Sequence, residues 1–166
     1  NEWDYTVDYS SAFGAIGYSV GIIGYTFPNS GGPGTTEIYA GASYDTILSP
    51  SLTVYYDLEA VEGAYISLGA GYGIPVGEIT SIDISGALGL GDKNMNQALY
   101  GSGNSGAGLA DILIGVSASF GITEYLSVTP SVSLSSILDS DGQDVYDAAD
   151  MDYTNVFFGL TLSAAY

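Results

Sequence analysis

The chain has 166 residues, 46% of them hydrophobic, and the length sets the expectation of a single domain over residues 1–166. Its net charge of −18, with Lys93 as the one basic side chain, argues against nucleic acid and anionic lipid headgroups as partners and makes cations the natural company. The absence of Cys removes disulfide and thiolate chemistry, and no apolar run reaches the ~20 residues of a spanning helix.

Only 12% of the residues are charged, about half the share expected of a soluble globular domain. Ser, Gly, Thr and Asp supply the polar surface in place of Lys and Arg. The 24 glycines are spread among β-branched and aromatic residues, which speaks against long helices and for strands of period two. Nine strands are expected, roughly at 2–10, 15–27, 35–45, 50–59, 63–74, 79–91, 109–121, 125–138 and 151–166.

Each strand has one apolar phase. The first reads Trp3, Tyr5, Val7, Tyr9; the fourth Leu52, Val54, Tyr56, Leu58; the seventh Ile112, Ile114, Val116, Ala118, Phe120. The other phase is small or polar, as in Ser67, Gly69, Gly71, Gly73 on the fifth strand and Ser127, Thr129, Ser131, Ser133, Ser135 on the eighth. Glu2, Asp4, Asp8, Glu37, Asp57, Asp83 and Asp111 all fall on this second phase. Alternation alone would serve a soluble sandwich equally well. Strands near ten residues, however, suit a tilted bilayer crossing of ~9–11 residues better than the ~5–6 of soluble sheets. A face of Ser and Gly, poor in Lys, suits the interior of a narrow barrel. The reading is an all-β, antiparallel, up-and-down transmembrane β-barrel with its apolar rows on lipid and the second phase inside.

The connections alternate in length once the C-terminal end is assigned to the periplasm. Gly91–Gly108 and Asp139–Asp150 are long and Pro28–Gly34 intermediate, whereas Ser10–Gly14, Thr46–Ser49, Pro75–Glu78 and Ile122–Glu124 are short; Glu59–Gly63 is the one tight outer connection. Short periplasmic turns and longer outer loops are the habit of membrane barrels. Outward aromatic residues support the same orientation. Tyr9, Tyr18, Tyr44, Tyr72, Phe120 and Tyr166 map to periplasmic strand ends, with Trp3, Tyr56 and Phe27 at outer ends, as two interfacial belts require. Pro130 lies in the lipid-facing phase of a central strand, where a bulge is expected to accommodate its missing donor.

The final strand, ending "FFGLTLSAAY", places Phe158, Leu160, Leu162, Ala164 and Tyr166 at every second position. This resembles the C-terminal insertion signal of bacterial outer-membrane proteins, which implies outer-membrane lipid and the barrel assembly machinery as partners. An even strand number is the rule for single-chain bacterial barrels. Nine strands therefore predict ten or twelve in the closed barrel, the remaining edge being filled by residues before Asn1, by a second chain or by a swapped strand. The stretches "EWDYTVDYSSAFGAIGYSVGIIGYTFPN" and "TTEIYAGASYDTILSPSLTVYYD" resemble the middle of TorF-type porins and related uncharacterised outer-membrane proteins. The likeness is best over residues 2–75 and weak between about 92 and 150. It implies an outer-membrane barrel at the cell surface, with further strands before Glu2.

With no His, Cys or Arg, the groups on which membrane-barrel hydrolases rely are missing, and no enzyme is expected. Asp139, Asp141, Asp144, Asp147 and Asp150 crowd the loop "DSDGQDVYDAAD", whose oxygens and Gly142 partly imitate a Ca²⁺ loop; a solvated acidic loop is the other reading. The loop "GDKNMNQALYGSGNSGAG" reads as flexible surface. Asp4, Asp8, Glu37, Asp57, Asp83 and Asp111 would line the lumen with no side-chain cation to offset them, which favours a narrow porin passing cations. Tyr39, Tyr55, Tyr65, Tyr153 and Phe157 share that phase and would plug it, leaving a non-conducting barrel that assembles through edges, loops or divalent ions, such as a filament subunit, as the alternative.

Overall fold

With Gly, Ser and Thr recurring along the strands, no long segment acquires an apolar helical stripe, and the described residues form strands joined by turns, with a short helix in two of the connections. The computed structural model describes residues 1–29, 34–77 and 80–164. Its elements are β1 (Trp3–Phe13), β2 (Ile16–Thr26), β3 (Thr35–Tyr44), β4 (Ser51–Asp57), β5 (Ala64–Pro75), β6 (Thr80–Gly91), α1 (Lys93–Tyr100), β7 (Gly108–Gly121), β8 (Leu126–Ile137), α2 (Ser140–Ala148) and β9 (Thr154–Ala164). All nine expected strands are present, and their bounds differ from expectation by a few residues at most.

The strands form one antiparallel sheet in the order β1 to β9, each paired with its neighbours in sequence. β1 and β9 do not pair, so the sheet is open at this seam. Strict alternation makes these two edge strands run in the same direction. The β1–β2 hairpin closes through Gly14 and Ala15 between the paired Phe13 and Ile16, and Gly14 takes the φ of 60° that such a tight connection needs.

Among the described residues one bulge interrupts the ladder. Leu88 pairs with Ile112 but Leu90 with Leu109, so Ala110 and Asp111 together face Gly89. Pro130 needs no bulge, contrary to the sequence expectation. The β7–β8 pairing is simply interrupted between Ser117↔Ser131 and Phe120↔Val128 without a change of register, and the Thr129 hydroxyl donates to Ser119 Oγ at 3.1 Å across the break.

Burial is inverted relative to a soluble sheet. Among the described residues the buried apolar side chains are Met95, Tyr100 and Ala110, all near α1, whereas dozens of large apolar side chains on the strands are exposed. On β8 the apolar Val132 and Leu134 are exposed, and the hydroxyl-bearing Ser127, Ser131, Ser133 and Ser135 of the other face are partly enclosed. The sheet curls around this polar face. One cavity touches both Tyr25 on β2 and Asp111 on β7, strands that would stand about 24 Å apart in a flat sheet.

Candidate functional site

The enclosed face is a set of rows running across the strands. Successive rows are Thr6, Ile23, Glu37, Asp57; then Asp8, Gly21, Tyr39, Tyr55, Tyr65, Gly91; then Ser10, Ser19, Gly41, Thr53, Ser67, Gly89. In the middle row the rings of Tyr39 and Tyr55 are 5.5 Å apart and those of Tyr55 and Tyr65 are 6.3 Å apart. Tyr39 leans over Gly21, where a Cβ would stand 2.5 Å from the ring, and donates its hydroxyl proton to Asp8 Oδ2 at 2.6 Å. Tyr65 repeats the device over Gly89 and donates to Asp111 Oδ1 at 3.0 Å. In both cases a tyrosine crosses a glycine strand to reach an acid on the strand beyond. Tyr25 donates to Glu37 Oε2 at 2.8 Å.

The six acids assigned to the interior share this face but do not converge on a point. Asp4 pairs with Tyr25 near the start of β1, and Asp8, Glu37, Asp57 and Asp111 lie in the same half of the sheet. Asp83 lies in the other half, opposite Gly73, and accepts from the Ser81 hydroxyl at 3.2 Å. Asp57 differs from the rest. It is 1% exposed and accepts from the Thr35 hydroxyl at 2.6 Å and from the amides of Glu59, Val61 and Glu62 at 3.0, 2.8 and 3.3 Å. Its carboxylate organises the β4–β5 connection.

The two long connections depart from expectation. The segment after Gly91, read as flexible surface, holds α1. Asp92 caps it, accepting from the Met95 amide at 2.8 Å through Oδ1 and from the Ala64 amide at 2.8 Å through Oδ2, and Gly101 ends it with a φ of 66°. Gly63 leaves room for the helix, since a Cβ there would meet the Met95 amide nitrogen at 2.8 Å. Asn96 is fully buried; its Nδ2 donates to the Gly106 carbonyl at 2.9 Å, and its Oδ1 has no hydrogen-bond partner. The Tyr100 hydroxyl donates to Asp111 Oδ2 at 3.3 Å, and burial, aided by Asp111, pushes that phenol above its ordinary pKa, so it remains a donor.

Within the acidic segment 139–150, read from the sequence as a loop, residues Ser140–Ala148 form α2. Asp139 is its N-cap, accepting from the Gly142 amide at 2.7 Å and from the Ser105 hydroxyl at 2.7 Å, which also ties the segment after α1 to α2. Asp141, Asp144 and Asp147 project along it, Asp150 follows with a φ of 55°, and among the described residues no group of three or more acids is placed to hold a metal. Gly142 packs against Tyr100, with a Cβ there standing 2.9 Å from the ring.

Beneath α1 lies a cavity of about 480 Å³, lined by Ile23, Tyr25, Glu37, Tyr55, Tyr65, Ser67, Met95, Leu99 and Asp111. A second space of about 250 Å³ continues along the same face and is bounded largely by Ser10, Ser19, Ser43, Ser51 and Thr53. The chain's basic side chain, Lys93, is exposed and borders neither. Sequence reasoning missed Tyr25, Tyr100 and Asp92 as partners and the helix that carries Met95 and Leu99. The pair Asp92 and Gly101 around "KNMNQALY" was the available signal.

On the opposite face, Trp3 and Tyr56 are exposed toward the helix-bearing end, and Tyr9, Tyr18, Tyr44, Tyr72 and Phe120 toward the hairpin end. Phe158, Leu160 and Leu162 are 81%, 68% and 70% exposed on β9, with Ala164 at its end; Tyr166 lies outside the described residues. The short hairpins also expose Phe13, Ile47, Val76 and Ile122, which the belts did not include. No family model matches the chain, and no curated protein matches it.

Proposed function

We propose that the chain is a bacterial outer-membrane β-barrel protein whose acidic, hydroxyl-lined interior attracts and passes small cations. The observation that carries this reading is the inversion of the two faces. Val, Ile, Leu and aromatic rows are exposed, while Ser, Gly and the acids share the opposite face, which is partly enclosed in the middle of the sheet around Glu37, Asp57 and Asp111 and open along the edge strands β1 and β9. In water such a surface would expose far more contiguous carbon than a monomer tolerates, whereas in a bilayer it costs nothing. The aromatic residues at both strand ends and the alternating final strand agree with lipid contact and with delivery by the barrel assembly machinery. The resemblance of residues 2–75 to TorF-type porins points the same way. An interior with carboxylates and no basic side chain favours cations by electrostatics.

Planar-bilayer recording under a KCl gradient tests the proposal. The expected result is a reversal potential of cation-selective sign that moves toward zero in an Asp4→Asn, Asp8→Asn, Asp83→Asn variant. Absence of conductance, or anion selectivity, would overturn it. One observation favours a second reading, a non-conducting barrel that assembles with copies of itself. The hairpin tips Phe13, Ile47, Val76 and Ile122 are apolar where a channel mouth would meet water. Ordered oligomers without conductance would support this alternative.

A further inference from the structure

The cavity beneath α1 holds a combination of groups that the passage of inorganic ions does not require. Glu37 on β3 and Asp111 on β7 stand on two sides of it, with the Tyr55 and Tyr65 rings between them. Met95 and Leu99, one helical turn apart on α1, border it with carbon and sulfur. The carboxylates are held by neutral phenols, Glu37 by Tyr25 and Asp111 by Tyr65 and Tyr100, and Lys93 is exposed and outside the lining. Two negative charges thus face an apolar and aromatic chamber without a side-chain cation to balance them.

We propose that this chamber binds a small organic cation, an ammonium group carrying an apolar body. The charge sits between Glu37 and Asp111 against the tyrosine rings, and the apolar part lies on Met95 and Leu99. Carboxylates and aromatic rings together recognise alkylammonium groups through ion pairing and cation–π attraction. The volume of about 480 Å³ falls within the ~300–1,000 Å³ of small-molecule sites and exceeds what a single ion fills. A hard metal ion would need several converging oxygens, and among the described residues no such acid group exists. An anion would be repelled, and a neutral molecule would leave both charges unbalanced. The inference rests on the reading of this face as an enclosed, cation-attracting interior and adds the chemical class of the cation.

The test is calorimetric titration of the full chain in detergent micelles with hexylammonium, hexanol and hexanoate, and separately with NaCl and CaCl₂. Saturable hexylammonium binding is expected, about tenfold or more tighter than hexanol, with none for hexanoate. The Glu37→Gln, Asp111→Asn double variant should weaken it about tenfold. Leu99→Trp, at a position 47% exposed and therefore tolerant of bulk, should fill the chamber and abolish uptake while the β-sheet circular dichroism persists. Equal affinity for hexanol, tighter binding of Na⁺ or Ca²⁺, or indifference to the double variant would overturn the proposal. Conductance without hexylammonium binding would overturn it alone. Binding without conductance would support it and overturn the channel reading.

Discussion

Tyr39 reaches Asp8 across a strand that has no side chain in the way, and Tyr65 reaches Asp111 in the same manner. The small residues of the inner face are therefore more than filler. They are the grooves in which tyrosines lie, and they allow each carboxylate a charge-assisted hydrogen bond without any basic residue nearby. Gly21→Ala drives a methyl group into the space of the Tyr39 ring, displaces its hydroxyl from Asp8 and should lower stability in reversible unfolding from micelles. In a Tyr39→Ala background the same substitution should cost a small fraction of that, and equal costs in the two backgrounds would show that Gly21 serves some other purpose. The acid at Asp57 shows a limit of residue-level reading. Period-two counting put it on the inner face correctly but carries no information on the Thr35 hydroxyl, 22 positions away, or on the three loop amides that occupy the carboxylate.

At the scale of elements, the strands were legible and the helices were not. A strand announces itself through alternation over ten residues, whereas α1 and α2 are only 8 and 9 residues long, too short to be stable alone, and exist because they dock. Their local signals were present nonetheless. Asp92 and Asp139 are N-caps and Gly101 is a left-handed C-terminal stop, all visible in the sequence but outweighed by the Gly- and Ser-rich surroundings. Gly142 brings the two helices together at Tyr100, beside the Ser105–Asp139 hydrogen bond. Gly142→Val should loosen that contact, and the expected outcome is faster proteolytic cleavage within residues 92–107 with the strand spectrum unchanged. A cleavage rate equal to that of the parent chain would mean that the Gly142–Tyr100 contact does not hold α1 in place.

At the scale of the molecule, the controlling feature is which face carries the carbon. Val116 lies on the exposed face in the middle of β7 and Ser133 on the enclosed face of β8. A Val116→Arg variant should lose about 2–4 kcal/mol of stability in lipid and fall out of the membrane fraction, whereas Ser133→Arg should remain in it. The reverse result would place the apolar rows on a protein partner rather than on lipid. The open seam lies between two strands of the same direction. β1 and β9 run the same way, so an antiparallel ladder between them requires a strand of opposite direction, and two copies in the same membrane orientation would meet only in parallel. From the sequence alone came the nine strands, their turns and the polarity of their faces, because period two is a local property that each strand declares independently of its neighbours. The tertiary structure decided which inner groups meet: Tyr65 with Asp111, 46 positions apart, the bulge at Ala110 and Asp111, and the chamber bordered by α1. Those meetings depend on register and curvature summed over several strands, a quantity that no single segment of the chain encodes.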